Sequence, residues 1–210
     1  MIKEHLVKTI QPYAARFISS NTVLEMKRWA FEMKRRLLNK DHHIDIYLRI
    51  NDPYSYLLVQ VMADFAQRYT INIEFKVIQN LQLDMYPEEA MWHDNGFIDA
   101  SHLAKLYRLK FPAAIPEKNL MRVKQGTGCL LQLEQLQLEQ LQLERLQTEP
   151  LKSKQEGRWQ QVSSVFEQYW FQQPLSLDPV LECSSDLELN PRLEQRLAQN
   201  EQYLHQQGHY

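Results

Sequence analysis

One short segment of the chain combines residue types and spacing that could do chemistry: Asn51-Asp52-Pro53-Tyr54-Ser55-Tyr56. An Asp before a Pro is a standard helix start. The carboxylate accepts a main-chain N–H, and proline takes the first helical position, where no N–H is needed. A helix N-terminus carries partial positive charge and favours an anion, and Ser55 offers a hydroxyl one step further in. The same device recurs at Asp178-Pro179 and, in form, at Asn190-Pro191, where no chemistry is in view. Capping alone is therefore a sufficient account of Asp52.

Other reactive side chains are scattered. His42 and His43 precede a strand, and His93 and His102 lie further on. Neighbouring histidines on a strand point to opposite faces, so the pair is a poor chelate. No HExxH or paired Cys–His spacing supports zinc, and no metal is expected. Cys129 and Cys183 form no CxxC and read as ordinary thiols in a reducing compartment. Five glycines with no GxGxxG or P-loop leave no cradle for a nucleotide phosphate. Glu88, Glu89, Trp92, His93 and Asp94 form a polar-aromatic cluster that could line a cleft.

The elements that must position these groups are read from periodicity. Ile44, Ile46, Leu48 and Ile50 alternate with Asp45, Tyr47 and Arg49, and Ile71, Ile73, Phe75 and Val77 alternate with Asn72, Glu74 and Lys76. Between the two strands Tyr54, Leu57, Leu58, Val61, Met62, Phe65 and Tyr69 recur at helical intervals. Strand, helix and strand with short links predict a parallel, right-handed βαβ unit over 42–80. Residues 1–41 read as an N-terminal helical extension. In its second helix Val23, Met26, Ala30, Met33 and Leu37 make a stripe beside Lys27, Arg28, Lys34, Arg35 and Arg36. Such a basic amphipathic helix can bind membranes or acidic partners, but the expectation is a packed helix with a solvated basic face.

Residues 81–189 read as helical, with stripes at Leu103, Leu106 and Tyr107 and at Val162, Val165, Phe166, Tyr169 and Trp170. Within them Leu131–Pro150 is four tandem copies of a five-residue unit, LQLEQ and its variants. Its leucines leave any single helical stripe, so residues 130–157 are expected to be a low-complexity surface loop or frayed helix. Residues 190–210 form a last helix ending at Gly208. The expected fold class is α/β, predominantly helical, with an incomplete sheet.

Composition bounds the function. The 210 residues are 44% hydrophobic with a net charge of −2 and a pI near 6.4, which points to neither nucleic acid nor an anionic membrane. Charges at Lys3, Glu4 and Lys8 break any signal-peptide core, and no stretch reaches the ~18 consecutive apolar residues of a membrane span. A cytoplasmic protein is expected.

The strand followed by NDPYSYL, a helix and a second strand resembles the DsbA-like branch of the thioredoxin superfamily. It is most similar to 2-hydroxychromene-2-carboxylate isomerases and kappa-class glutathione transferases. Pro53, Tyr54, Ser55 and Tyr56 match that group's active turn. DASHLAKLYRLKFP and FEQYWFQQPLSLDPVL resemble its inserted helical segment, and NPRLEQRLAQNEQYLHQQG resembles the helix that returns to the sheet.

The resemblance implies a thioredoxin-like fold and a glutathione-dependent oxidoreductase, isomerase or transferase acting on a small-molecule or thiol substrate. It would place Asp52 and Ser55 in the catalytic role, and Pro53, Tyr54, Tyr56 and Trp92 around substrate. The group's catalytic serine, or the first cysteine of a CxxC, falls on Asp52, and Ser55 falls on the second cysteine. Without a thiol at either place, dithiol exchange has no nucleophile. The alternative is a catalytically inactive thioredoxin-like domain that binds a partner, another such domain or a second copy. The group's cis-proline hairpin has no counterpart before Tyr210. The chain is thus expected to be the front part of a longer protein or a truncated descendant of one, with an open sheet edge beside Ile44–Ile50.

Overall fold

A computed structural model describes residues 16, 20–38, 42–69, 71–80, 88–117, 119–144, 152–177 and 191–206. The chain divides into two compact units, Met1–His42 and His43–Tyr210.

In the first unit, α1 spans Asn21–Leu37. It was expected to pack its apolar stripe, yet no residue of α1 is buried. The carboxylate of Glu32 instead clamps its own helix face, meeting Arg35 at 2.7 Å and Arg36 at 2.8 Å. Those two guanidiniums hold the Glu32 carboxyl down to about 2.

The second unit is mostly helical around a two-stranded parallel sheet. β1 (His43–Leu48) leads through α2 (Pro53–Arg68) to β2 (Asn72–Val77). Ile44 pairs with Ile73, Ile46 with Phe75 and Leu48 with Val77, so one sheet face is wholly apolar. α2 and α5 (Lys152–Trp170) pack together, and the core joins Leu48, Phe75 and Val77 to Val59, Met62, Trp159, Val162 and Phe166. The α5 stripe read from the sequence is buried as expected. That of α2 is turned: Tyr56, Val59, Met62 and Ala66 face the core, whereas Leu58 and Val61 face outward. Two flanking layers decide this, since the helix answers to α5 as well as to the sheet.

α3 (Glu89–Tyr107) stops at Arg108, which takes the left-handed conformation (φ 57°) and lets Leu109 N–H return to the Ala104 carbonyl. Its inner face is made by Ala100 and Ala104; Leu106 and Tyr107, expected on an apolar face, are exposed.

The repeat is the largest correction. Its residues up to Glu144 continue α4 (Leu120–Glu144), and Leu130, Leu131, Leu133, Glu134 and Gln137 are buried. KSKQEG, expected in the same loop, forms the first turns of α5. The approach of α4 is close: a Cβ on Gly126 would sit 2.7 Å from Ile50 Cγ1.

The polar members of α4 close the outer edge of β2. Glu134 Oε2 accepts from Val77 N–H at 2.9 Å, and Gln137 Oε1 accepts from Phe75 N–H at 3.5 Å. From α6 (Pro191–Gln206), Asn200 donates to the Val77 carbonyl and to Glu134, and Arg196 donates to Glu134 at 2.7 Å. Glu201 accepts from the N–H groups of Gln79 and Asn80 just beyond the strand. Among the described residues β1 has no strand on its other side. No helix among the described residues is long and apolar enough to cross a membrane.

Candidate functional site

The turn that carries the candidate site is built by local rules. After β1 the chain bends through Ile50 and Asn51, and Asp52 N–H donates to the Arg49 carbonyl at 3.0 Å. Asp52 is extended (φ −94°, ψ 121°), which aims its carboxylate back over the first turn of α2, with Pro53 at the first helical position. Asp52 Oδ2 accepts two hydrogen bonds, from Ser55 N–H and from Ser55 Oγ, each 2.7 Å long. Ser55 Oγ in turn accepts from Arg49 N–H at 3.3 Å.

This ring of contacts consumes the chemistry. The single proton of the Ser55 hydroxyl is given to Asp52, and Ser55 is only 7% exposed. The helix N-terminus already holds an anion, the Asp52 carboxylate. A second anion such as a thiolate about 4 Å away would meet a repulsion of roughly 1 kcal/mol in water, and about 4 at an effective dielectric of 20.

Tyr54 and Tyr56, two residues apart, part company. Tyr54 lies toward the surface, donates its phenol to Asp99 Oδ2 at 2.7 Å and meets the edge of Trp92 with ring centroids 6.1 Å apart. Burial first, and then the hydrogen bond to the Asp99 carboxylate, push the Tyr54 phenol up to about 12. Tyr56 was expected to shape a substrate pocket and does not. It is fully buried and stacks on Phe111, Phe166 and Trp170, with Phe171 at its edge. Burial raises its phenol, which finds no hydrogen-bond partner among the described residues.

Of the expected polar-aromatic cluster, Trp92 reaches Tyr54, while His93 Nδ1 lies 3.6 Å from Asp94 and Glu88 is exposed. The turn and Trp92 are thus joined through Tyr54, with Asp99 as the partner that sequence reading missed. Asp99 lies 45 residues from Tyr54, and no local pattern announces the contact.

Among the described residues one cluster could hold a metal. On the polar face of the sheet His43, Asp45 and Glu74 bring one ligand atom each within 4.8 Å of one another. Adjacent-histidine spacing could not show it, because the ligands come from facing strands. Lys76 Nζ already sits 2.6 Å from Asp45 Oδ1 and supplies the local cation. Burial would raise the Asp45 carboxyl, but Lys76 and His43 outweigh it and hold it below the usual aspartate range. Cys129, expected as an ordinary thiol, is instead disulfide-bonded; the other cysteine of the chain, Cys183, lies outside the described residues. Compared with models of known protein families and with curated proteins, the chain matches none.

Proposed function

We propose that this chain is a thioredoxin-like domain of the DsbA-like kind that no longer does thiol chemistry at its helix N-terminus and works by binding. One observation carries this reading: Asp52 takes both the N–H and the hydroxyl of Ser55, filling the anion position with a carboxylate of the chain itself. A glutathione-dependent isomerase or transferase would need that hydroxyl for the thiolate. Here it points the other way.

What the domain offers a partner is the outer edge of β1. In the parallel register Leu48 pairs inward through the Ile78 N–H to Leu48 carbonyl bond, so the main-chain groups of Asp45 and Tyr47 face away from β2. The occupant that suits a row of main-chain donors and acceptors is an extended strand, from another thioredoxin-like domain or a second copy.

Amide-resolved NMR of the chain tests both halves. Reduced glutathione at millimolar concentration is expected to leave the amides of Tyr54, Ser55 and Tyr56 unmoved, and a saturable shift there would overturn the proposal. With a strand-bearing partner added, hydrogen exchange at Asp45 and Tyr47 is expected to slow while Val77 is unchanged. Protection confined to Tyr54 and Trp92 would move the binding surface to that aromatic pair. In Asp52→Ser, which removes the carboxylate and frees the Ser55 proton, a saturable glutathione shift at Tyr54, Ser55 and Tyr56 is expected to appear; its absence would show that Asp52 is not what fills the anion position.

A further inference from the structure

The N-terminal unit carries a feature that thiol or strand binding leaves unused. On α1 the side chains of Val23, Met26, Ala30, Met33 and Leu37 follow the three- and four-residue spacing of one face, and Trp29 borders it. This stripe is uncovered: Met26 is 63% exposed, Trp29 65% and Leu37 80%. A contiguous apolar face left in water on a helix marks an interaction surface.

The charges around the stripe say what kind of surface it meets. α1 carries Lys27, Arg28, Lys34, Arg35 and Arg36 against Glu25 and Glu32. Glu32 is already engaged with Arg35 and Arg36, whereas Lys27, Arg28 and Lys34 make no ion pair among the described residues. Lys27 and Lys34, seven residues apart, run along one flank of the stripe, where their methylene stems can follow the apolar surface while the ammonium groups reach outward. An indole at the border of an apolar face suits the zone where headgroups meet acyl chains.

We infer that α1 lies in the plane of an anionic lipid surface, with the Val23–Leu37 stripe at the acyl boundary and Lys27 and Lys34 on the phosphates. A protein groove would also take an apolar stripe. The lysine flank and the border tryptophan favour the bilayer, because the unpaired cations need a dense field of anions. The net charge of −2 conceals this local excess, since the acidic residues that offset it lie elsewhere in the chain.

Flotation of the full chain with phosphatidylcholine vesicles, with and without phosphatidylglycerol, tests the inference. Binding is expected only to the anionic vesicles and is expected to fall as salt is raised. Replacing Lys27 and Lys34 by Ala is expected to weaken it about 25-fold, at roughly fivefold per cation. Trp29→Ser with Leu37→Ser is expected to abolish it. None of these side chains is buried, so circular dichroism and thermal melting of the variants are expected to match the parent. Equal binding to neutral vesicles, or no binding to either, would overturn the inference. So would light scattering that shows self-association lost in Leu37→Ser while vesicle binding is absent, which would assign the stripe to a second copy.

Discussion

The two edges of the small sheet are treated in opposite ways. Along β2 the outward Phe75 N–H, Val77 N–H and Val77 carbonyl are each met by a side chain from α4 or α6. Along β1 the corresponding groups of Asp45 and Tyr47 face outward, with no strand beside them among the described residues. A two-stranded sheet is marginal by itself. Here a helix face stands in for a third strand on one side only. The closed edge anchors the fold, and the open edge is the one the proposed binding would use.

Removing the anchor is the most severe way to break this contrast. Glu134 is fully buried and receives Val77, Asn200 and Arg196 together. Glu134→Ala strands their donors and is expected to destabilise the fold by about 3–5 kcal/mol in urea titration. Glu134→Gln, which keeps an acceptor for Val77, is expected to cost clearly less. If the two variants are equal, the carboxylate is not what closes the edge.

The next largest effect tests how α4 reaches the sheet. A methyl at Gly126 would press on Ile50 at 2.7 Å. Gly126→Ala is therefore expected to lose about 1–3 kcal/mol by overpacking, despite the higher helix propensity of alanine. Hydrogen exchange in this variant is expected to rise at Val77 and Phe75, as the polar stripe is pushed away from them. A gain in stability instead would show that α4 can shift without loss.

The smallest effect lies on the open side. β1 is tied to β2 across the polar face by Asp45 and Lys76, 2.6 Å apart and partly exposed. Because the folded carboxyl is held below its ordinary 3.8, its contribution is present above that value and is lost as pH falls through the lower folded value. Partial exposure limits it to about 1 kcal/mol or less. The stability gap between the parent and Asp45→Asn is expected to be constant near neutrality and to close in acid. A gap that persists at the acid limit would indicate lost packing rather than lost charge.

Much of this was legible in order of residues. The βαβ unit could be read because two period-two strands flank a helical stripe with links too short for anything but a neighbouring strand. The α5 stripe was equally plain. Asp52 as a cap was also readable, since its partner is three residues away. What the cap does to function was not. Ser55 could have offered its proton to a ligand or to Asp52, and the extended backbone at Asp52 decided for the latter.

The repeat shows where reading fails. Its leucines fit no stripe, so hydrophobic periodicity pointed to the surface. In the fold, α4 is buried on more than one face: Cys129, Leu130, Leu131 and Leu133 enter the core, while Thr127, Glu134 and Gln137 are buried as polar side chains, Glu134 and Gln137 against β2. A pattern search that counts apolar residues cannot find a face whose burial is compensated by strand N–H groups. Likewise nothing within α2 distinguishes Tyr54, bonded to Asp99, from Tyr56, enclosed by aromatic rings.

The sequence by itself determined the strands, the crossover helix and the capped turn, because these depend on neighbours within a few residues. Only the tertiary structure decided which polar side chains would be buried, since burial of a carboxylate or an amide is tolerable only where distant main-chain groups arrive to bond it.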